Sequence, residues 1–294
     1  MRKELLILSG KGGTGKTSIT AALAHLAAPS KIIADCDVDA SDLHLILAPE
    51  IRSENDFISG TEAKIRRENC TACGECSAIC QFDAIETDDE GIASVNGMAC
   101  EGCAVCARFC PAEAITMHPC RCGQWFLSDT RFGPMVHSHL FPGEENSGKL
   151  VTLVKNQATQ QAENLDKKLI LVDGPPGIGC PVIASISGAD LVLIVTEPTM
   201  SGLHDLERVI GLTTHFKVPA AVCLNKCDLN GNMAKAIERY CTDNGIEMIA
   251  AIPFDQAFTD AQVQGKAVTE LQESGVSQTL EQMWFRLNDM LFSK

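Results

Sequence analysis

Two sets of residues in this chain could do chemistry by type and spacing. The first is Gly10-Lys11-Gly12-Gly13-Thr14-Gly15-Lys16-Thr17, which fits the phosphate-binding pattern G-x-x-x-x-G-K-[ST] at every required position. Its glycines let successive backbone N–H groups turn around an anion with no Cβ in the way. Lys16 is spaced to reach the β- and γ-phosphates and the Thr17 hydroxyl to sit on Mg²⁺, while Ser18 opens a helix whose N-terminus faces the phosphates. The second set is the cysteines, fifteen in 294 residues. In a reducing compartment they are not a disulfide framework, so they point to metal, and the odd total leaves some as ordinary buried residues.

Eight of the cysteines form a repeat. Cys70, Cys73, Cys76 and Cys80 are spaced C-x₂-C-x₂-C-x₃-C, and Cys100, Cys103, Cys106 and Cys110 follow the same spacing thirty residues later, with Pro111 next. Ala84-Ile85 maps onto Ala114-Ile115 at the same offset, so the repeat extends beyond the thiols. Such runs mark a two-cluster ferredoxin in which the fourth cysteine of each run ligates the other cluster. That pattern assigns one [4Fe–4S] cluster to Cys70, Cys73, Cys76 and Cys110, and the second to Cys100, Cys103, Cys106 and Cys80. C-x₂-C pairs also suit zinc, but eight thiolates in two interleaved runs fit tetrahedral zinc poorly. Gln81 stands where the simplest ferredoxins have proline after the fourth cysteine, which changes a loop constraint and no ligand. Residues 60–118 carry ten acidic side chains against four basic ones, which favours low potentials and a basic docking surface on an electron partner. Beyond the repeat, Cys120, Cys122, His137 and His139 are a further candidate metal set, with ordinary packing the bland alternative.

These residues need a scaffold, and the flanking sequence supplies one. Leu5–Leu8 reads as a short buried strand and Ser18–Ala28 as an Ala-rich helix. Lys31–Ala34 is a second strand, ending in Asp35-Cys36-Asp37-Val38-Asp39, with Asp42 next in line. The C-terminal end of a strand is where a parallel α/β sheet binds its ligand. Asp39 and Asp42 could instead cap the following turn. From 49 to 69 the chain becomes polar and the α/β pattern stops. Residues 118–150 are hard to read, apart from a short strand near Trp125–Leu127 and a turn-like run, Gly-Glu-Glu-Asn-Ser-Gly-Lys, at 143–149. The pattern returns with a helix near 148–164 and the strand Lys168–Val172, which ends in Asp173-Gly174-Pro175-Pro176-Gly177. An apolar strand finishing in Asp suits a carboxylate that holds Mg²⁺. Strands at 190–195, 219–224 and 247–252 alternate with helices near 202–214 and 231–243. The expected fold is therefore α/β, with a doubly wound, mostly parallel sheet over 1–59 and 118–294, and a small α+β domain inserted at 60–117.

Composition excludes several classes. A net charge of −14 and an acidic pI near 4.9 argue against nucleic acid or an anionic membrane as partner. The N-terminal apolar run is too short for a signal peptide and no 18-residue apolar stretch occurs, so a cytoplasmic protein is expected. The last segment places Leu280, Met283, Trp284, Leu287 and Leu291 at helical spacing. Its polar face holds Glu281, Gln282, Asn288 and Asp289 against only Arg286 and Lys294 as cations, which favours a core-packed helix over a membrane-surface one.

With these pieces in place the chain resembles the MinD/ParA-superfamily ATPases that carry an inserted ferredoxin, relatives of the Mrp-type cluster carriers and the nitrogenase iron protein. The resemblance runs over Gly10–Thr17, Asp35–Asp39, both cysteine runs, 133–137, 143–149 and 173–187. It implies ATP with Mg²⁺ at Lys16, Thr17 and Asp173, and an ATP-dependent homodimer in which Lys11 reaches the partner's nucleotide. It also implies a switch I Asp37 that helps place the attacking water, a switch II loop at Gly174–Gly179, and adenine contacts from Asn225 and the 253–255 segment, Pro253 and Asp255 included. The implied function is an ATPase that couples nucleotide-driven dimerisation to electron transfer or to assembly and delivery of a metal–sulfur cofactor, with an unidentified redox or cofactor-assembly protein as partner. A positioning ATPase with a structural ferredoxin is the alternative. Cys180 stands at the offset of a subunit-bridging cluster ligand of the nitrogenase iron protein. That protein's second cysteine and the C-x-x-C of the Mrp-type carriers have no match here, so Cys180 reads first as a buried small side chain.

Overall fold

In the computed structural model, residues 2–27, 29–144, 146–271 and 275–293 are described. Ala28, Glu145 and Lys294, which the sequence places in the first helix, the 143–149 run and the last helix, lie outside them. The phosphate-loop scaffold forms as expected: strand β1 (Lys3–Ser9), helix α1 (Lys16–Leu26) and strand β2 (Lys31–Asp35), followed by the short helix α2 (Leu43–Leu47). β1 and β2 are almost continuously apolar because both faces of a parallel sheet are covered.

The polar 49–69 stretch departs from expectation. It contains a sixteen-residue strand, β3 (Glu50–Ile65), and the unreadable region after the repeat contains another, β6 (Ile115–Thr130), followed by β7 (Gly133–Leu140). β6 extends the short strand expected near Trp125–Leu127, whereas β3 was not expected at all. β3 lies at the edge of the sheet and buries only Phe57, Ser59 and Ala63 along its length, so it lacks the apolar alternation of a covered strand.

Between them lie helices α3 (Glu75–Ile79) and α4 (Val105–Phe109) and the antiparallel pair β4 (Ile85–Thr87) and β5 (Ala93–Val95). The thirty-residue repeat is visible in the backbone. Ala72 and Gly102, Gly74 and Ala104, and Asp83 and Glu113 all have positive φ, in pairs thirty residues apart. Ala84 and Ala114, with Ile85 and Ile115, are buried as matching core positions.

The chain continues through α5 (Ser147–Asn164), β8 (Leu169–Pro176), α6 (Cys180–Ile186), β9 (Leu191–Thr196), α7 (Met200–His215), β10 (Ala220–Asn225), α8 (Gly231–Asp243), β11 (Glu247–Ile252), α9 (Ala257–Val263) and α10 (Gly275–Phe292). The nine-stranded sheet runs β11-β10-β9-β1-β8-β2-β7-β6-β3, with every pair from β11 to β7 parallel. Leu5, Ile7, Leu171 and Leu193 form one core with α1, α9 and α10. By strand alternation Leu6, Leu8, Val172 and Ile194 face the other side, where α5, α6 and α7 pack. α10 buries Leu280, Met283, Leu287 and Leu291, so it is the core helix its composition favours. Among the described residues no helix is long and apolar enough to cross a membrane.

Two compact units result. One comprises 1–55, 125–139 and 147–294, and the other comprises 56–124 and 140–146.

Candidate functional site

The first unit gathers its charged residues at the C-terminal ends of β1, β2 and β8. The loop after β1 turns through left-handed glycines at Gly13 (φ +82°) and Gly15 (φ +92°) and delivers Lys16 as the first residue of α1. The Lys16 Nζ lies 3.0 Å from Asp173 Oδ1 and 3.3 Å from Asp37 Oδ2. Thr17 donates to Asp173 Oδ2 at 3.0 Å, and Thr20, one turn later, to Asp173 Oδ1 at 2.7 Å. The parallel register sets Asp35 beside Asp173. Asp35 is fully buried and accepts from Ser41 Oγ at 2.7 Å and from the Asp37 N–H at 3.1 Å.

Three carboxylates thus crowd one buried ammonium. Burial, and then the nearby Asp173, push the Asp35 carboxyl well above its usual value. Burial also lifts Asp37 above the ordinary carboxylate range in spite of Lys16. For Lys16 burial favours losing the proton, but Asp173, Asp37 and Asp35 outweigh it and hold the pKa above the usual lysine value. A site with this excess of negative charge is suited to a further cation.

Of these residues Lys16, Thr17 and Asp37 edge a cavity of about 480 Å³, lined also by Gly12 to Gly15, Ser18, Asn225 and Asp255, while Asp173 and Asp35 lie buried outside its lining. Phe254, Phe258 and Gln262 also line it, and Gln262 donates to Ser18 Oγ at 2.7 Å. Pro253 is exposed and does not line the cavity, and the next residue, Phe254, stands there instead. Asn225 lines the cavity, but its amide donates to the Thr14 carbonyl at 2.8 Å and its Oδ1 accepts from the Lys226 N–H at 3.0 Å. In this arrangement it braces the loop. The Thr14 hydroxyl is buried with no protein partner among the described residues.

Gly10 and Lys11 stand apart from the cavity lining. At Gly10 a Cβ would meet that of Asp205 at 2.3 Å, so α7 packs directly on the loop. The Lys11 Nζ pairs with Glu197 Oε1 at 2.7 Å and reaches Ser201 Oγ at 3.0 Å. Lys226 pairs with the other Glu197 oxygen at 3.2 Å and donates to the Gly13 carbonyl at 2.9 Å. Burial would raise Glu197, but hydrogen bonds from these two lysines keep it below the usual value. Sequence reasoning passed over Glu197 and Thr20, and placed Asp35 at the ligand-binding end of β2 without a role of its own. An acid just after β9 was the available signal for Glu197, whereas Thr20 is revealed only by helix docking and the Asp35–Asp173 pairing by strand register.

Near the C-terminal end of β8, a Cβ on Gly174 would lie 2.5 Å from Leu8 and 2.8 Å from the Ile7 carbonyl, so only glycine fits there. Cys180 does begin α6, but it is exposed, which overturns its reading as a buried packing residue.

In the second unit the eight repeat cysteines surround two cavities. Cys70, Cys73, Cys76 and Cys110 line one, with Ile65, Ala93, Ala114 and Ile115 beside them. Cys80, Cys100, Cys103 and Cys106 line the other. Each cavity thus takes three cysteines from one run and the fourth from the other. Cys120 and Cys122 belong to this unit but His137 and His139 do not. His137 is buried in the first unit, stacked on Phe126 and bonded to Ser128 Oγ at 2.9 Å.

A family model for the CobQ/CobB/MinD/ParA nucleotide-binding domain matches residues 5–268. An uncharacterized protein of Methanocaldococcus jannaschii is 31% identical over 291 residues, covering 98% of this chain and 97% of its own. The fold is similar to that of the cell-division ATPase MinD of Pyrococcus furiosus, with a TM-score of 0.57, 16% identity, and coverage of 99% of this chain and 100% of that one. A shorter match, 31% over 70 residues (24% of this chain, 21% of the other), is to a component of the Na(+)-translocating ferredoxin:NAD(+) oxidoreductase complex of Acetobacterium woodii.

Proposed function

The chain belongs to the CobQ/CobB/MinD/ParA nucleotide-binding family and is a P-loop ATPase of the MinD/ParA type, and on that premise we propose that it couples MgATP-driven dimerisation to iron–sulfur chemistry in its second unit. One observation carries the reading. The same chain brings Lys16, Thr17 and Asp37 to a nucleotide-sized cavity, with Asp173 bonded to Lys16 and Thr17, and lines two further cavities with four thiols each.

Hydrolysis here is positioning and charge neutralisation. Thr17 and Asp173 would hold Mg²⁺, which would neutralise charge on the phosphates. Lys16, kept protonated by its carboxylate neighbours, exchanges them for phosphate oxygens, and the Thr14 hydroxyl gains a partner. Asp37 orients the water that attacks the γ-phosphorus, giving ADP and phosphate. Lys11 leaves Glu197 to reach the nucleotide of a second copy, which makes hydrolysis depend on dimerisation. Gly174 links the γ-phosphate side of the site to α6 through a tight approach to β1 that leaves it no slack.

Four thiols in a mostly apolar lining suit a [4Fe–4S] cluster, which supplies one-electron redox chemistry when bound. The 70-residue match to a component of a ferredoxin:NAD(+) oxidoreductase complex supports this reading. β3 contributes to both units and follows Asp37 closely in sequence, so the segment that senses the nucleotide leads directly into the cysteine-bearing unit.

The test is anaerobic purification with iron and sulfide analysis, then redox titration with an ATP analogue and with ADP. About eight irons per chain are expected, with a potential shift of tens of millivolts between nucleotide states, where about 59 mV is a tenfold change for one electron. Identical spectra and potentials in both states would refute the coupling. ATP-dependent filament or membrane association would then point to a positioning ATPase.

A further inference from the structure

Outside both of these sites, Cys120, Cys122 and Glu144 bring two sulfurs and a carboxylate oxygen within 4.8 Å of one another. The convergence follows from backbone rules. In β6 the residues at i and i+2 share a face, so Cys120 and Cys122 point the same way while Arg121 points away to pair with Asp56 at 2.6 Å. After β7 the chain turns at Phe141-Pro142-Gly143-Glu144. Proline at the second position, a positive φ of 81° at Gly143 and the bond from the Glu144 N–H to the Phe141 carbonyl (3.1 Å) describe a tight turn of type II character. The Phe141 N–H bonds the Cys122 carbonyl at 2.8 Å, which pins that turn against β6 and lays Glu144 over the two thiols.

We propose that Cys120, Cys122 and Glu144 form a mononuclear site for a borderline-soft divalent cation, zinc foremost, separate from the eight repeat cysteines. The dimensions agree. Zn–S of about 2.3 Å and Zn–O of about 2.0 Å at a tetrahedral angle set sulfur and oxygen about 3.5 Å apart. Cys120 Sγ lies 3.6 Å and 3.8 Å from the two Glu144 oxygens. Cys122 is buried, its thiol donating to the Ser59 carbonyl at 3.0 Å, and Cys120 is half-buried. Two thiolates and a carboxylate select zinc over magnesium or calcium, which prefer all-oxygen sets. Among the described residues no lysine, arginine or histidine forms an ion pair with Glu144 that would compete for it. Binding exchanges the two thiol protons for the cation: Zn²⁺ enters, two protons leave, and the site carries one net negative charge. Three protein ligands leave the fourth tetrahedral position for water or an exchangeable ligand.

The anaerobically purified full-length chain is incubated with zinc sulfate and desalted, and its zinc K-edge absorption fine structure is recorded alongside iron analysis. Stoichiometric zinc is expected, with two sulfurs at about 2.3 Å and lighter atoms at about 2.0 Å. Competition against a chromophoric chelator should show at least a tenfold loss of zinc affinity in Glu144→Gln and no measurable binding in Cys120→Ser, with iron content unchanged in both. Folding of Cys120→Ser is checked by far-UV circular dichroism and MgATP affinity. If it misfolds, the wild-type spectrum and Glu144→Gln decide. The proposal is overturned if zinc is lost on desalting, if the zinc has an all-sulfur shell (occupation of a repeat site), or if Glu144→Gln binds as wild type. Because iron is counted independently, failure here leaves the ATPase reading untouched, and the converse also holds.

Discussion

The Lys11–Glu197 pair offers the sharpest perturbation. If Lys11 acts on the nucleotide of a second copy, its 2.7 Å contact with Glu197 is a resting state that dimerisation must break. The side chains are 31% and 13% exposed, so the pair is partly solvated and worth about 0.5–1 kcal/mol. Two copies break two such pairs, so Glu197→Gln should favour the dimer by about 1–2 kcal/mol, a five- to thirty-fold lower Kd. Lys226 keeps its bond to the Gly13 carbonyl in this variant, so the phosphate loop stays braced. Sedimentation equilibrium with a non-hydrolysable ATP analogue measures the Kd directly, with Lys11→Ala expected to abolish analogue-dependent dimerisation. An unchanged or weaker dimer in Glu197→Gln, or a normal dimer in Lys11→Ala, would refute the reasoning.

Other outcomes follow from the same structure. Lys16→Ala removes the one cation that, among the described residues, pairs with Asp37 and Asp173. It should bring phosphate release to background and cost about 3 kcal/mol in urea unfolding, the lower end for breaking a buried ion pair; sustained hydrolysis would remove Lys16 from the mechanism. Burial lowers His137 from 6.5 to about 4, so the unfolded chain binds a proton that the folded one rejects between those values. Stability should therefore fall as pH drops from 6.5 towards 4, by up to about 3 kcal/mol at 1.36 kcal/mol per unit. His137→Gln should flatten that part of the curve, and an unchanged slope would assign it to other groups. Cys103→Ser should lower iron from about eight towards about four per chain, while Cys241→Ala, buried in α8, should leave it alone; equal loss in both would mean a general folding defect.

The sequence by itself determined what depends on short spacings. The Gly10–Thr17 loop, the strand–helix alternation from Leu150 onward and the thirty-residue cysteine repeat are all local, because phosphate cradling, helical and strand periodicity and ligand spacing are set by neighbours along the chain. β3 escaped because an exposed edge strand need not alternate, so its polar sequence reads as a break, and of β6 only the stretch near Trp125–Leu127 was legible. Tertiary structure alone decided which distant groups meet. Register brings Asp35 beside Asp173, and packing after β9 brings Glu197 to Lys11. Strand order turns the Asn225 amide onto the phosphate loop, and the turn after β7 lays Glu144 over the thiols of Cys120 and Cys122. These encounters join residues from tens to more than two hundred positions apart. No local pattern specifies them, because they depend on how strands are ordered and paired, and that is settled only when the whole sheet closes on its core.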